Sequence, residues 1–359
     1  MKTDAAAILG EDMVRRKRMR LVQAISFGVV LLSLTVFSTQ RQPPIIEIER
    51  PLPDERFVTR ERVTFKASFR GVDSAEQARA VWNSSVTGEL GRGAAIEVGN
   101  LPAGPHDVTV SLDGASKSVR IRAFDDLLQL YRAKPADAEL ERVRREFSFT
   151  WQDGSQPDER WALYEPSIFA PESPRPSKTV LLARLDTLRH QVFDETLPFG
   201  DGLTVFEHLR RHVTRFVVRL DCGIASGGGR AVSLPRHASL WYTSSSNCHE
   251  VLPGQQPLGY EGPLALILHE VRHNQPGDPG HKACRGHPGL DATLNNGSGF
   301  AWSALYFMWV YKYGSFDPPA VKERARQAAK SVLQYSFCSA PSSGNPKVQA
   351  VIEEIQAQN

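Results

Sequence analysis

The sequence predicts an α+β chain of several domains: an N-terminal transmembrane helix, a β-sandwich, and a mainly helical C-terminal domain with a small sheet. Three observations predict this order. Residues 21–40 carry no charge, residues 55–124 alternate apolar and polar side chains with period two, and helical periodicity dominates residues 125–359. A length of 359 residues suits two or three domains.

The N-terminal segment 1–20 is basic and ends in a run of cations: Arg15, Arg16, Lys17, Arg18 and Arg20. Much of the formal net charge of +3 comes from this run. The rest of the chain is close to neutral and lacks the basic footprint of a nucleic-acid-binding protein. We therefore expect no nucleic-acid partner.

Residues 21–40 are predicted to form a transmembrane signal anchor. The apolar centre runs from Ile25 to Phe37, and about 20 residues are needed to cross a bilayer. Positive charge on the N-terminal side predicts residues 1–20 in the cytoplasm and the remaining domains outside the cell membrane. A signal peptide cleaved after Ser38 is the alternative. The long basic segment and the lack of an Ala-x-Ala site favour the anchor.

A proline-rich segment, residues 41–54, follows the predicted anchor. It contains Pro43, Pro44, Pro51 and Pro53. Proline-rich segments adopt extended conformations and act as stiff spacers. The sequence therefore predicts a spacer between the membrane and the first domain.

Residues 55–124 have the pattern of a β-sandwich. Apolar residues alternate with polar ones along 63–69, 108–112 and 119–123. Asp113-Gly114 lies between the last two runs and is a strong signal for a hairpin turn. Trp82 is placed in a middle strand, where a sandwich core can use a large residue.

This region resembles the Ig-like or PKD-like modules of bacterial surface proteins. The resemblance rests on the segments 81–85, 88–91 and 101–106. It implies a module that binds a partner or spaces one domain from another.

The region after the sandwich is predicted to be mainly helical, with two strands. Pro135 divides residues 124–147 into two helices, because proline interrupts a helix interior. The further predicted elements are helices over 178–192, 203–213, 299–313 and 318–334, and strands over 216–220 and 237–243.

The segment His269-Glu270-Val271-Arg272-His273 is an HExxH motif on a predicted helix. Residues four apart lie on one helical face, so His269 and His273 can bind the same ion. Glu270 can then act as general base toward a water molecule that zinc has made more acidic. The pattern predicts a catalytic Zn²⁺ site.

These residues resemble the zincin metallopeptidases, and residues 262–314 carry the resemblance. The family implies zinc-dependent peptide hydrolysis, with a third ligand after the motif. Pro279 stands where metzincins have a histidine, and the helix 299–313 lacks the glutamate of gluzincins. Asp291 matches the aspartate of the aspzincins and is the first choice, with a helix N-cap as its other interpretation. His281 is the alternative third ligand.

Other features of the resemblance stay open. Zincins use a tyrosine or histidine to assist the transition state, and four residues are available: Tyr242, Tyr260, His287 and Tyr306. The strand 237–243 is a candidate for the edge strand that aligns substrate. Residues 297–299, Gly-Ser-Gly, are expected to let helix 299–313 approach the HExxH helix closely.

The four cysteines are Cys222, Cys248, Cys284 and Cys338. An even number in an exported protein predicts two disulfides, with three possible connectivities. Proximity favours Cys222–Cys248 and Cys284–Cys338. A zinc–thiolate site is disfavoured because the sequence has no Cys-x-x-Cys pair.

Together these features predict a membrane-anchored, extracytoplasmic zinc peptidase that acts on a peptide or protein substrate. The alternative is a non-catalytic surface protein with an Ig-like module and a structural zinc. The number of protein ligands separates the two, because a structural zinc site is closed by four of them whereas a catalytic site keeps a position for water. An amidase acting on cell-wall material differs from the first hypothesis only in substrate.

Overall fold

The computed structural model describes residues 42–151, 178–199, 202–213, 215–219, 230–234, 237–243, 260–273, 275, 277, 280 and 290–358. The strands are β1 (Ile45–Arg50), β2 (Glu55–Val58), β3 (Val63–Arg70), β4 (Val81–Ser84), β5 (Gly88–Arg92), β6 (Ala95–Val98), β7 (Gly104–Leu112), β8 (Ala115–Phe124), β9 (Ser148–Trp151), β10 (Arg215–Arg219), β11 (Arg230–Leu234) and β12 (His237–Thr243). The α-helices are α1 (Ser74–Gln77), α2 (Leu127–Arg132), α3 (Asp137–Glu146), α4 (Lys178–Thr187), α5 (Val205–His212), α6 (Glu261–His273), α7 (Gly299–Tyr313), α8 (Pro319–Tyr335) and α9 (Pro346–Ala357). Short 3₁₀ helices cover Leu188–His190 and Leu294–Asn296.

Strands β1–β8 form two sheets that share one hydrophobic core. One sheet has the order β1-β3-β6 and the other β2-β8-β7-β4-β5. The period-two pattern turns one face of each strand inward, as in β3, where Val63, Phe65 and Ala67 are buried. Trp82 is fully buried against Phe65, with ring centroids 5.6 Å apart. These two sheets are the predicted sandwich.

The predicted hairpin at Asp113-Gly114 is confirmed. Strands β7 and β8 pair antiparallel up to Leu112 and Ala115. Asp113 and Gly114 both have positive φ, 46° and 84°. Positive φ at both central residues is the requirement of the two-residue turn that matches the twist of a hairpin.

The predicted spacer contains a strand of the sandwich. β1 pairs antiparallel with β3, so the domain begins before residue 55. Ile46 is buried whereas Glu47 and Glu49 are exposed, which is the alternation of a strand with one buried face. The prolines on either side of β1 are typical of a spacer, and the alternating pattern between them is only six residues long.

The C-terminal region has a separate core and a mixed sheet of order β11-β12-β10-β9. β10 is parallel to both neighbours, and β11 is antiparallel to β12. β12 therefore pairs on both sides and is not the edge strand that residues 237–243 were expected to supply. Within the described residues, the edge of the sheet on this side is β11.

Helices α6 and α7 pack against each other in this core. The hydroxyl of Ser303 on α7 donates to the carbonyl of Ala265 on α6 at 3.2 Å. α7 is buried on nearly all sides and has the bounds predicted from its apolar run. The break at Pro135 is also confirmed, since α2 ends before it and α3 begins after it.

The structure does not support the predicted transmembrane helix. None of the helices in the described residues is both long and apolar enough to cross a membrane. The longest, α8, has 17 residues and is about 25 Å long, whereas a bilayer core is about 30 Å thick. Residues 1–20 and 21–40, where the basic segment and anchor were predicted, lie outside the described residues. The predicted single-pass membrane location is not kept, and the fold is a mixed α/β fold with several sheets.

A buried ion-pair cluster joins the sandwich to the helical region. Arg56 on β2 contacts Glu139 on α3 through Nε at 2.7 Å and Asp186 on α4 through Nη2 at 2.8 Å. A second pair has its arginine on the helix and its glutamate on the strand: Arg142 on α3 pairs with Glu55 on β2. All five side chains are buried. The cluster fixes the position of the sandwich on α3 and α4.

Candidate metal centre on helix α6

The HExxH motif occupies the last turns of α6. Leu264, Ile267, Leu268 and Val271 are all fully buried. Their spacing of three and four residues places them on one helical stripe, which holds the helix in the core. His269 and Glu270 follow this stripe and are themselves 6% and 4% exposed.

The two histidines of the motif face each other. The Nε2 atoms of His269 and His273 are 3.2 Å apart, and the ring centroids are 5.0 Å apart. Two nitrogen ligands on a tetrahedral zinc ion, at about 2.0–2.1 Å each, are separated by about 3.3 Å. The pair therefore fits two positions of such an ion. An N–H···N hydrogen bond between the rings has the same spacing.

Helix α7 comes very close to the first of these histidines. A Cβ atom placed on Gly299 would lie 2.8 Å from Nε2 of His269, closer than real Cβ contacts. The ring of Phe300 meets the His269 ring edge-on, with centroids 4.7 Å apart. The predicted close approach at residues 297–299 is thus confirmed at Gly299.

Arg272, inside the motif, connects the end of α6 to the start of α7. Its guanidinium donates to the carbonyls of Gly297 and Gly277. It also lies over the ring of Trp302, 5.6 Å from the centroid. These contacts hold the last turn of α6, and with it His273, against α7.

Asp291, the predicted third ligand, is 1% exposed. Its backbone bonds to Ser336 and Cys338, both at 2.9 Å. Its carboxylate accepts from the hydroxyl of Ser298, which caps the N-terminus of α7. The bond from Ser298 therefore holds Asp291 close to the start of α7. The N-cap of this helix is Ser298 and not Asp291.

The described residues contain one group of three metal-type ligand atoms within 4.8 Å of one another, and Asp291 is not in it. The structure brings His269 and His273 together, but no carboxylate oxygen of Asp291 forms a group with both of them within 4.8 Å. His281, the alternative ligand, lies outside the described residues. The third ligand therefore stays a prediction.

That group of three consists of Glu139, Asp186 and His190 in the domain interface. Its two carboxylates belong to the ion-pair cluster and are already paired with Arg56 and Arg142. Burial raises the pKa of Glu139 even though Arg56 opposes the shift. Burial also disfavours the charged form of Asp186, but Arg56, His190 and Arg142 outweigh it and lower the pKa. These contacts make it a structural cluster, in which a divalent ion would compete with arginine.

Two of the candidate catalytic helpers are fully buried: Tyr260, which directly precedes α6, and Tyr306 on α7. The Tyr260 hydroxyl donates to Asp317, and the Tyr306 hydroxyl donates to Gln191 at 3.0 Å. Burial raises the pKa of both phenols well above the usual value. Their contacts are those of core residues. His287 and the side chain of Tyr242 lie outside what the structure describes.

Asp317 is a buried titratable group that the sequence did not reveal. It is 6% exposed, and burial raises its pKa to about 7. The bond from Tyr260 opposes this shift and the charge of Glu261 adds to it. An aspartate just after a helix resembles an ordinary turn residue in the sequence, so no local signal identifies its burial.

Cys338 takes part in a disulfide. Cys222, Cys248 and Cys284 lie outside the described residues, so no pair can be assigned within them. The predicted pairs Cys222–Cys248 and Cys284–Cys338 stay predictions.

Comparison with known proteins identifies no family. No family pattern and no curated protein matches the chain. Among solved structures, it is similar to the fibronectin(III)-like modules of Clostridium thermocellum CbhA, with 12% identity and a TM-score of 0.19 over 23% of this chain and 97% of that one. It is also similar to domains 4 and 5 of the S-layer protein SbsC, with 14% identity and a TM-score of 0.15 over 22% of this chain and 53% of that one. A polysaccharide lyase has 11% identity and a TM-score of 0.17 over 88% of this chain and 38% of that one. TM-scores this low carry no argument about fold or function.

Proposed function

We propose that the chain is a zinc-dependent hydrolase that cleaves peptide bonds, with His269 and His273 as zinc ligands and Glu270 as general base. One observation supports this most directly: the two Nε2 atoms lie 3.2 Å apart at the end of a buried helix. This is the spacing of two ligands on one tetrahedral ion.

The burial of the motif adds support. Burying a carboxylate and an imidazole is costly, and both Glu270 and His269 are buried. Of the polar residues on α6, His269 and Glu270 are the buried pair nearest its C-terminal end. A zinc ion held by the two histidines would add positive charge close to Glu270 and would lower the pKa of a water molecule toward neutrality.

The residues of the chain divide the remaining work. Glu270 takes up a proton from the attacking water and returns it to the leaving amine, which is the role of a general base and then a general acid. Gly299 and Phe300 hold the His269 ring, and Arg272 holds the turn that carries His273. Asp291 or His281 completes the ligand set in this proposal.

The test measures zinc content and peptide cleavage in the full chain. The variants are Glu270→Gln and His269→Ala, with Glu353→Gln on the exposed face of α9 as the matched control. We expect about one zinc per chain in the wild type, in Glu270→Gln and in the control. We expect cleavage of a mixed peptide library only in the wild type and the control.

The other outcomes contradict the proposal in distinguishable ways. Zinc in the wild type without cleavage indicates a structural site, in which the ion is closed by four protein ligands. An absence of zinc from the folded wild type rules out the metal centre. Zinc retained by His269→Ala at wild-type affinity places the ion elsewhere.

A further inference from the structure

A cleft of about 580 Å³ lies between the sandwich and the helical region, on the side of the interface that carries Arg142. Residues from β2, β3, α3, the 3₁₀ helix Leu188–His190 and α5 line it. Its volume is in the range of small-molecule sites. Such sites occur preferentially where two domains meet.

Five arginines line this cleft: Arg50, Arg62, Arg142, Arg189 and Arg210. The lining carboxylates are fewer: Glu55, Glu61 and Glu207. The wall therefore has a surplus of positive charge in a chain whose formal net charge is only +3. A concave surface lined by one sign of charge concentrates ligands of the opposite sign.

Some of these arginines already have partners. Arg142 pairs with Glu55 and Asp186, and Arg210 pairs with Glu146 at 3.1 Å. Arg50 lies 3.7 Å from Glu55. These pairs leave two arginines of the wall, and both are candidates for contact with a ligand.

Those two are Arg189 and Arg62, which form no ion pair within the described part of the chain. Arg189 is half-buried and lies over the ring of Phe206, with its guanidinium carbon 4.6 Å from the centroid. Cation–π attraction to the ring favours this position of the guanidinium. An arginine fixed in this way keeps its donors directed for bidentate recognition.

Some polar nitrogens in this wall lack a hydrogen-bond partner. Nη1 of Arg189, Nε of Arg142 and Nε2 of His190 are buried and make no hydrogen bond, although Nε2 of His190 lies 4.0 Å from a carboxylate oxygen of Asp186. Arg142 is only 6% exposed and His190 only 3%. A buried donor without an acceptor costs free energy, so the wall is more stable with acceptor oxygens nearby.

The electrostatics of Arg189 agree with this geometry. Burial, and then repulsion by Arg142, lowers the pKa of its guanidinium. The side chain nevertheless stays charged at neutral pH, because the pKa of an arginine guanidinium lies far above neutrality. An anion in the cleft would offset both the burial and the repulsion.

We infer that this cleft binds a ligand carrying a phosphate or sulfate group, with Arg189 as the principal contact and Arg62 at the rim. Guanidinium groups pair with tetrahedral oxyanions through parallel N–H···O bonds, which gives both affinity and orientation. The site is separate from the HExxH motif, and the inference does not depend on the proposed zinc chemistry.

The test is calorimetric titration of the full chain with inorganic phosphate and with sulfate at constant ionic strength. Constant ionic strength separates a site from general screening. Arg189→Gln removes the proposed contact. Arg70→Gln is the matched control, because Arg70 is 77% exposed on β3 and does not line the cleft. Phenyl phosphate and phenyl sulfate then distinguish the two kinds of ester.

We expect binding of phosphate or sulfate to the wild type, at least about tenfold weaker binding to Arg189→Gln, and no change in Arg70→Gln. Arg189→Lys keeps the charge but loses the planar fork, so it should bind with intermediate affinity. If Arg189→Gln does not fold, Arg62→Gln at the exposed rim replaces it, with weaker binding expected. The inference is overturned if neither anion binds the wild type, or if the control loses as much affinity as the cleft variant.

Discussion

Replacing Asp317 by asparagine tests how a buried carboxyl group makes the stability of this protein depend on pH. Asp317 lies just before α8, is 6% exposed, and accepts a hydrogen bond from Tyr260. Burial raises its pKa from 3.8 to about 7. Asparagine has nearly the same shape, can accept the same bond and cannot ionise.

The sign of the effect follows from the direction of the shift. The folded state holds the Asp317 proton up to about pH 7, whereas the unfolded chain releases it near pH 3.8. The stabilisation is therefore complete below about pH 4 and is lost as pH rises through about 7. A shift of about three pKa units corresponds to about 4 kcal/mol of unfolding free energy.

The assay is urea unfolding at pH 5 and at pH 8 for the wild type and Asp317→Asn. At pH 8 the variant should be more stable than the wild type by up to about 4 kcal/mol. At pH 5 the difference should shrink to about 1–2 kcal/mol, because the wild-type group is then protonated when folded. Asp125→Asn serves as the control, since Asp125 is exposed. An equal effect of Asp317→Asn at the two pH values would refute the reasoning.

Three further substitutions test other contacts. Gly299→Ala places a Cβ against the His269 ring and should cost about 1–3 kcal/mol in thermal unfolding while weakening zinc binding. Gly344→Ala, in open space, is its control, and an equal response of the two would contradict the packing argument. Arg56→Ala leaves buried carboxylates uncompensated and should cost about 3–5 kcal/mol in urea unfolding, so a loss below about 1 kcal/mol would be inconsistent with the cluster. Ser298→Ala removes the cap of α7 and should cost about 1 kcal/mol, and an unchanged melting temperature would count against the cap.

Local patterns predicted the elements that depend on local physics. The hairpin at Asp113-Gly114 is confirmed because the turn needs residues that accept positive φ. The bounds of α7 are confirmed because an apolar run meets a serine that caps the helix. The facing histidines of α6 also follow from a four-residue spacing alone.

Other elements were missed although their signal was present. α9 begins at Pro346 after the cap Asn345, and the spacing of its buried residues is helical. The last helix predicted from the sequence ends at residue 334. The predicted transmembrane helix is not found among the helices of the described residues.

The contacts between distant residues could not have been predicted. Arg56 bonds to Glu139, 83 positions away, and to Asp186, 130 positions away. Nothing near Arg56 in the sequence distinguishes it from a surface arginine. The arginine-lined cleft and the burial of Asp317 have the same origin, because both arise where separate parts of the chain meet.

The interface cluster has a consequence for how the sandwich can be handled as a unit. β8 ends at Phe124 and α2 begins at Leu127, whose amide donates to the carbonyl of Phe316 between α7 and α8. A cut after Phe124 would expose the hydrophobic face of β2 together with Arg56, and would leave Glu139 and Asp186 without Arg56. The sandwich is therefore not an independent module that can be transferred alone from one protein to another. Heat should melt it and the helices in a single transition, and a graft of this module needs α3 and α4 as well.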